Sequence, residues 1–238
     1  TAVAWIRRVP VVFWAMDLNP QQAVAAGLLS PRAWSVRTLA AAQRWVLRRA
    51  ALTLTLDRAM DQNLGQEAPT SVRVVVPLWP RNDGLVHGDT FASPEVVDGD
   101  VDGPLTLLYS GNHSAVHPLD TILLAAEKLR EDARFRFIFA GGGKQKAVVE
   151  EFVAIRRLQN VILLPYQSPG DHAELSRSAH LHLVSFGDAM IGCVHPSKFY
   201  AALGAGKPVL LLGSERSPLA STLTELKCGW RVDHGRAG

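Results

Sequence analysis

Cysteine is scarce in this chain: Cys193 and Cys228 are the two in 238 residues. Two distant thiols make neither a disulfide framework nor a metal-ligand spacing, which points to a reduced, cytosolic protein. Long apolar runs are missing too. None approaches the roughly 18 residues that span a bilayer. No leader-like segment opens the chain, although it starts at Thr1 instead of Met, so the expectation is that the natural beginning lies upstream. No GxxxxGK[ST] or GxGxxG occurs, which excludes the Walker loop and the dinucleotide fingerprint. With 19 Gly, 14 Pro and 20% charged residues the composition is neither low-complexity nor collagen-like. It is that of a soluble globular protein with one large core or two modest ones.

What is present is unevenly spread. The net charge is +3, yet residues 1–80 carry nine arginines against four acids, a local +5 that leaves −2 for the rest. Five of the six tryptophans (Trp5, Trp14, Trp34, Trp45 and Trp79) lie in the same basic third. Two readings stand side by side: peripheral contact with an anionic membrane surface or a lipid-linked acceptor, and a solvated arginine face over buried tryptophan. Nucleic acid is not expected, because no nucleic-acid-binding motif accompanies the charge.

Hydropathy patterning divides the chain. Residues 1–80 read β-α-β-α-β, with strands over Val9–Trp14, Leu52–Leu56 and Val72–Val76 and helices over 21–26, 33–50 and 58–64. Asp17, just past the first strand, reads equally as a ligand-facing acid and as a helix cap. From Pro80 to Pro104 periodicity fails and Gly, Asp, Pro and Ser accumulate, which predicts a linker over 81–104. Asp98, Asp100 and Asp102 begin a calcium-loop pattern there, but Tyr109 stands where the bidentate Glu belongs. Their Asp-x-Asp reads as solvated acid.

Residues 105–238 then alternate strand and helix regularly. Strands are expected over 105–109, 135–140, 161–164, 180–185, 209–212 and 229–232. That pattern predicts an α/β fold with a parallel sheet covered by helices on both faces. The loops Ser110–Pro118, Gly141–Lys144, Pro165–Gly170 and Phe186–Pro196 would then converge at one sheet edge. Among them, Val194 to Gly213 (VHPSKFYAALGAGKPVLLLG) carries the clearest signal. Pro196 is expected at a first helical position and Ser197–Leu203 as a short helix leading into the buried strand Val209–Leu212. A helix N-terminus with Lys198 beside it is a ready anion site. Gly141-Gly142-Gly143-Lys144 offers a second, and Gly111, Asn112 and His117 add close approach and hydrogen bonding.

These segments carry a family resemblance. YSGNHSAVHPLDTILLAAEKL, FRFIFAGGGKQKAVVEEF, NVILLPYQSPGD, HLHLVSF and VHPSKFYAALGAGKPVL resemble, in order and spacing, the C-terminal donor-binding domain of GT-B fold glycosyltransferases of the family-4 "group 1" type. The SGNH, HPLDT, LPYQ and HPxK motifs resemble a bacterial exopolysaccharide and O-antigen branch. MDLNP, AAGLL, RWVLRRA and VVVPLWP are similar to the later part of that family's N-terminal acceptor-binding domain. The resemblance implies two Rossmann-like doubly wound domains, the first incomplete (1–80), joined by 81–104 to a nucleotide-sugar domain over 105–238, in a chain truncated at both ends.

The implied activity is transfer of a sugar from a nucleotide-diphosphate donor to a hydroxyl of a lipid-linked or polysaccharide acceptor, metal-independent and retaining, with no cofactor. The implied setting is the cytoplasm or the inner face of its membrane. Lys198 and His117 are the implied catalytic pair. The diphosphate and donor fall to Gly111, Asn112, His117, Gly142, Lys144, Pro196, Ser197 and Lys198, and the base to the strand end before Tyr166 and Gln167. The family's two ribose-binding glutamates fall here at Cys193 and Ala201, and Asp188 and Lys198 are the substitutes expected. A non-catalytic nucleotide-sugar-binding module and a nucleotide-sugar 2-epimerase remain the alternatives.

Overall fold

The computed structural model describes residues 2–78 and 103–237. Most of the expected linker, including Asp98, Asp100 and Asp102, lies outside them. The chain divides into two compact units, the first comprising residues to Leu78 together with Ala189–His195, the second the remainder.

The first unit begins with helix α1 (Ala2–Arg7), which the sequence pattern did not indicate. Strand β1 is accordingly short, Val12–Trp14 in place of Val9–Trp14. Helices α2 (Asn19–Ala25) and α3 (Trp34–Arg49), strand β2 (Leu52–Thr55), helix α4 (Arg58–Glu67) and strand β3 (Arg73–Val75) follow. The strands form a parallel sheet in the order β1-β2-β3. Leu18, Leu47, Leu56, Met60 and Leu64 pack beside it as one core. Each such buried aliphatic side chain contributes about 1.5–3 kcal/mol. Asp57 lies between β2 and α4 and caps the helix: its carboxylate accepts the Met60 N–H at 2.8 Å, satisfying an otherwise orphaned helix donor.

The second unit holds β4 (Leu105–Ser110), α5 (Asp120–Lys128), β5 (Phe135–Ala140), α6 (Lys146–Arg156), β6 (Val161–Leu164), α7 (Pro169–Ser178) and β7 (Leu181–Ser185). It continues with α8 (Ser197–Gly204), β8 (Val209–Leu212), α9 (Pro218–Leu226) and β9 (Gly229–Val232). All six strands are parallel, in the order β6-β5-β4-β7-β8-β9. Successive residues of β4 point to opposite layers. Leu107 and Tyr109 join the core with Phe137 and Phe139, while Leu108 joins Ile138 and Ala179. A sheet buried on both faces explains why its strands read as continuous apolar runs. The order reverses between β4 and β7, and ligands of open α/β sheets bind beyond the strand ends at such a switch point.

Three local expectations need correction. Helix α6 starts at Lys146 and not at Lys144, because Gly141 and Gly143 hold φ of 127° and 129° and Lys146 N–H closes a turn onto Gly143 O at 3.0 Å. Pro196 is the residue preceding α8, with φ −67° and ψ 104°, and not its first helical residue. Residues Ala189–His195 group with the first unit and not with 105–238. There the Leu18 N–H donates to Cys193 O at 2.8 Å, Asn63 donates to Gly192 O at 3.1 Å, and buried Asp57 meets buried His195 at 2.6 Å.

Candidate functional site

The loops following β4 and β5 are stitched to each other by main-chain hydrogen bonds. Gly111 N–H donates to Ala140 O at 2.9 Å, His113 N–H to Gly142 O at 2.7 Å, and Gln145 N–H to His113 O at 3.0 Å. The fit is close enough to require glycine. A Cβ on Gly141 would collide with the Gly111 carbonyl, and one on Gly143 with the Asn112 side-chain oxygen and the His113 carbonyl. A Cβ on Gly142 would press at 2.8 Å on the ring of Tyr166, whose hydroxyl donates to Gly142 O at 3.3 Å. Gly111, Asn112, Gly142 and Tyr166 thus form one continuous rim.

Lys198 joins this rim from the first turn of α8. Its Nζ lies 2.9 Å from the Tyr109 hydroxyl and 4.3 Å from the ring centre, and a Cβ on Gly111 would touch its Cε at 3.4 Å. The Tyr109 hydroxyl donates onward to Asn112 O at 2.8 Å. No carboxylate pairs with Lys198 among the described residues, and burial pushes its ammonium down to about 7. The N–H groups of Ser197 and Lys198 have no carbonyl a turn earlier, and no side chain caps them. Among the described residues, then, a half-buried lysine without a carboxylate partner stands at an uncapped helix N-terminus, beside a switch point.

His117 closes the other side. Its Nδ1 lies 2.7 Å from Ser185 O, the last residue of β7, and Ser185 Oγ donates to Pro118 O. Nδ1 therefore carries the proton and Nε2 the lone pair. Burial, then the Lys198 charge, push its pKa down to about 3. His117 thus enters as a neutral imidazole.

The other expected residues have these surroundings. Lys144 is exposed in the turn before α6, while Lys146 is engaged by Gly141 O and Leu164 O. The Gln167 amide bonds to Pro165 O at 2.9 Å. Exposed Asp188 accepts from the Ser214 N–H at 3.2 Å and faces Arg216 at 3.4 Å. Ala201 and buried Cys193, where the resemblance places glutamates, bring no carboxylate. Among the described residues no cluster of His, Cys, Asp or Glu is placed to hold a metal ion.

Sequence reasoning missed Tyr109, His113 and Lys146. His113 is fully buried, edge-on to the Tyr109 ring at 5.2 Å, with Nδ1 3.3 Å from Gly142 O. The polar character of the YSGNH run was the available signal. Which of its side chains turn inward depends on pairing between loops, which no local pattern reports.

No protein-family model matches the chain. It is 31% identical over 163 residues to WcaI of Escherichia coli (strain K12), a protein assigned to colanic acid biosynthesis as a glycosyl transferase. The match covers 64% of this chain and 38% of WcaI. Among solved structures, Anabaena Alr3699/HepE in complex with UDP and glucose superposes with a TM-score of 0.70 at 15% identity, covering 99% of this chain and 61% of that one. WaaG, a glycosyltransferase involved in lipopolysaccharide biosynthesis, gives 0.67 at 20% identity, covering 94% and 61%. The chain therefore spans between about two fifths and three fifths of the proteins it resembles. Its fold is α/β of the GT-B class, with two parallel sheets.

Proposed function

We propose that the second unit grips the diphosphate of a nucleotide sugar, and that the protein transfers the sugar to a hydroxyl of a lipid-linked or polysaccharide acceptor. The observation that carries this reading is Lys198: a cation with no carboxylate partner among the described residues, at an uncapped helix N-terminus, against Gly111 at the β4/β7 switch point. An incoming diphosphate supplies the missing counter-charge and accepts the free N–H groups, so the site is complementary to an anion. As the sugar leaves, negative charge grows on the leaving phosphate, where fixed dipoles and an ammonium stabilise it without rearranging.

Each residue then has a role. Lys198, with the Ser197 and Lys198 N–H groups, takes the leaving diphosphate. Gly111 and Gly142 let it approach the main chain. Neutral His117 presents Nε2 as an acceptor, suited to a sugar hydroxyl and unsuited to phosphate. The strand end before Tyr166 and Gln167 meets the base. We read the reaction as metal-independent and retaining, with no cofactor besides the sugar nucleotide. The likeness to WcaI and the UDP held by one structural neighbour support a nucleotide-sugar donor. The absence of a carboxylate at Cys193 and Ala201 favours one second reading, a module that binds the donor without turning it over.

The test is incubation with UDP- and GDP-sugars and a saccharide or lipid-linked acceptor, followed by product analysis. Glycoside with release of nucleotide diphosphate, insensitive to a chelator, is the expected result. Free epimer would identify a 2-epimerase, and binding without turnover the binding module.

A further inference from the structure

Segment Ala189–His195 lies, in sequence, between two parts of the second unit and yet groups with the first. Helix α4 and its cap hold it there at three points. The Asn63 amide donates to Gly192 O at 3.1 Å. Gly192, with φ 75°, passes so near the helix that a Cβ would meet Ala59 O at 2.9 Å. Asp57, the cap, uses both carboxylate oxygens: one accepts the Met60 N–H at 2.8 Å, and the other meets His195 Nδ1 at 2.6 Å. A fourth bond runs from the Leu18 N–H to Cys193 O at 2.8 Å.

Stability alone does not call for the Asp57–His195 pair. The two side chains are 7% and 3% exposed. Taking such groups out of water costs much of what their attraction returns, so apolar residues of similar volume often serve as well. What a short, buried hydrogen bond adds is direction. His195 is separated from α8 by one residue, and the joint is stiff. The Pro196 ring holds φ at −67°, and a residue that precedes proline is steered to extended conformations. Pro196 O then accepts the Phe199 N–H at 3.3 Å, opening the turn that carries Lys198. The placing of the His195 ring therefore sets the direction in which α8 begins.

We propose that Asp57 and His195 are positioning residues for the donor diphosphate. They fix Ala189–His195 against α4 and, through the joint at Pro196, hold the Ser197 and Lys198 N–H groups and the Lys198 ammonium where the phosphate is met. They act through α8 and do not themselves touch the ligand. The proposal rests on the donor-site reading and adds to it two residues that group with the first unit.

Calorimetric titration of the chain with UDP and with GDP tests it, in a double-mutant cycle between His195 and Lys198. His195→Ala should weaken nucleotide binding about 3- to 30-fold. In a Lys198→Ala background the same change should weaken it by a clearly smaller factor, because the ammonium that it positions is gone. A role confined to stability would lower binding by the same factor in both backgrounds. His195→Asn, whose amide nitrogen stands near the place of Nδ1, should restore most of the loss. Asn63→Ala frees Gly192 O and keeps the buried pair. It should weaken binding in the same sense, and it carries the test if urea unfolding shows that His195→Ala does not fold. Asp61→Ala removes a side chain of α4 that pairs with Arg73 and should bind as the parent does. Parent-like affinity in the folded His195→Ala or in Asn63→Ala, or equal factors in both backgrounds, overturns the proposal, while a loss in Lys198→Ala leaves the donor-site reading standing. Binding of neither nucleotide, or binding that Lys198→Ala leaves unchanged, overturns both.

Discussion

Lys198 Nζ and the Tyr109 hydroxyl are 2.9 Å apart, and the same hydroxyl donates to Asn112 O at 2.8 Å. Tyr109 is fully buried in the central strand of its sheet. One rigid aromatic ring therefore fixes both the cation and the loop that would face a diphosphate. Burial also raises the Tyr109 pKa, so the phenol stays protonated and able to donate. Removing only its oxygen, Tyr109→Phe, should weaken UDP or GDP binding by about 3- to 10-fold, as expected for one net hydrogen bond. Calorimetry reads this directly, and circular dichroism should show the fold unchanged.

Proton linkage follows from the same lysine. Its folded pKa is about 7, below the ordinary lysine value of 10.5, because burial disfavours the charge. A bound diphosphate restores the charged form, so binding must take up a proton above pH 7. Affinity should fall by roughly tenfold per pH unit from about 7 towards 9. Calorimetry at pH 8 in buffers of different ionisation enthalpy should report uptake approaching one proton, and Lys198→Ala should remove it. A flat pH profile would contradict the assignment.

Acid should act on the fold in the opposite direction. Burial pushes His117 down to about 3 and His182 down to about 4, from 6.5. Both are bases with depressed folded values, so the unfolded chain binds their protons first. Stability is full above about pH 6.5 and is lost as pH falls towards 4. Thermal melts from pH 7 to 4 should show this slope. It should flatten in His182→Gln, whose parent ring lies 3.0 Å from Ser176 O, outside the donor rim.

Glycine substitutions separate loop geometry from charge. Gly141→Ala and Gly143→Ala each combine a positive φ with a collision against the neighbouring loop, and should cost more than about 2 kcal/mol. Gly170→Ala meets nothing within 4 Å and should be nearly neutral. Urea unfolding of the three variants checks the contrast.

Much of this fold was legible because its strands are buried on both faces and its helices alternate with them, from Leu105 to Val232. The loops that gather at the switch point were legible from Pro196, Lys198 and the glycines. Lys144 misled because its lysine-after-glycine position mimics a helix start. Gly143 in fact delays α6 by two residues, and Lys146 is drawn back onto Leu164 O. The Asp57–His195 contact, with 138 residues between its partners, had no local signature at all. Asp57 also caps α4, its carboxylate accepting the Met60 N–H. Asp57→Ala should therefore destabilise the first unit by roughly 2–5 kcal/mol, more than loss of a cap alone. Asp61→Ala, which breaks a more exposed pair with Arg73, should cost less than about 1 kcal/mol.

The central claim is that Lys198 and the start of α8 hold a diphosphate, and thermal stabilisation by UDP and GDP tests it most directly. Both the parent chain and Lys198→Ala would be melted with and without each nucleotide near pH 7. Loss of most of the nucleotide-induced shift in Lys198→Ala is predicted, equivalent to about 1.5–3 kcal/mol of a charge-assisted contact. A shift of the same size in both proteins would place the phosphate elsewhere and contradict the account.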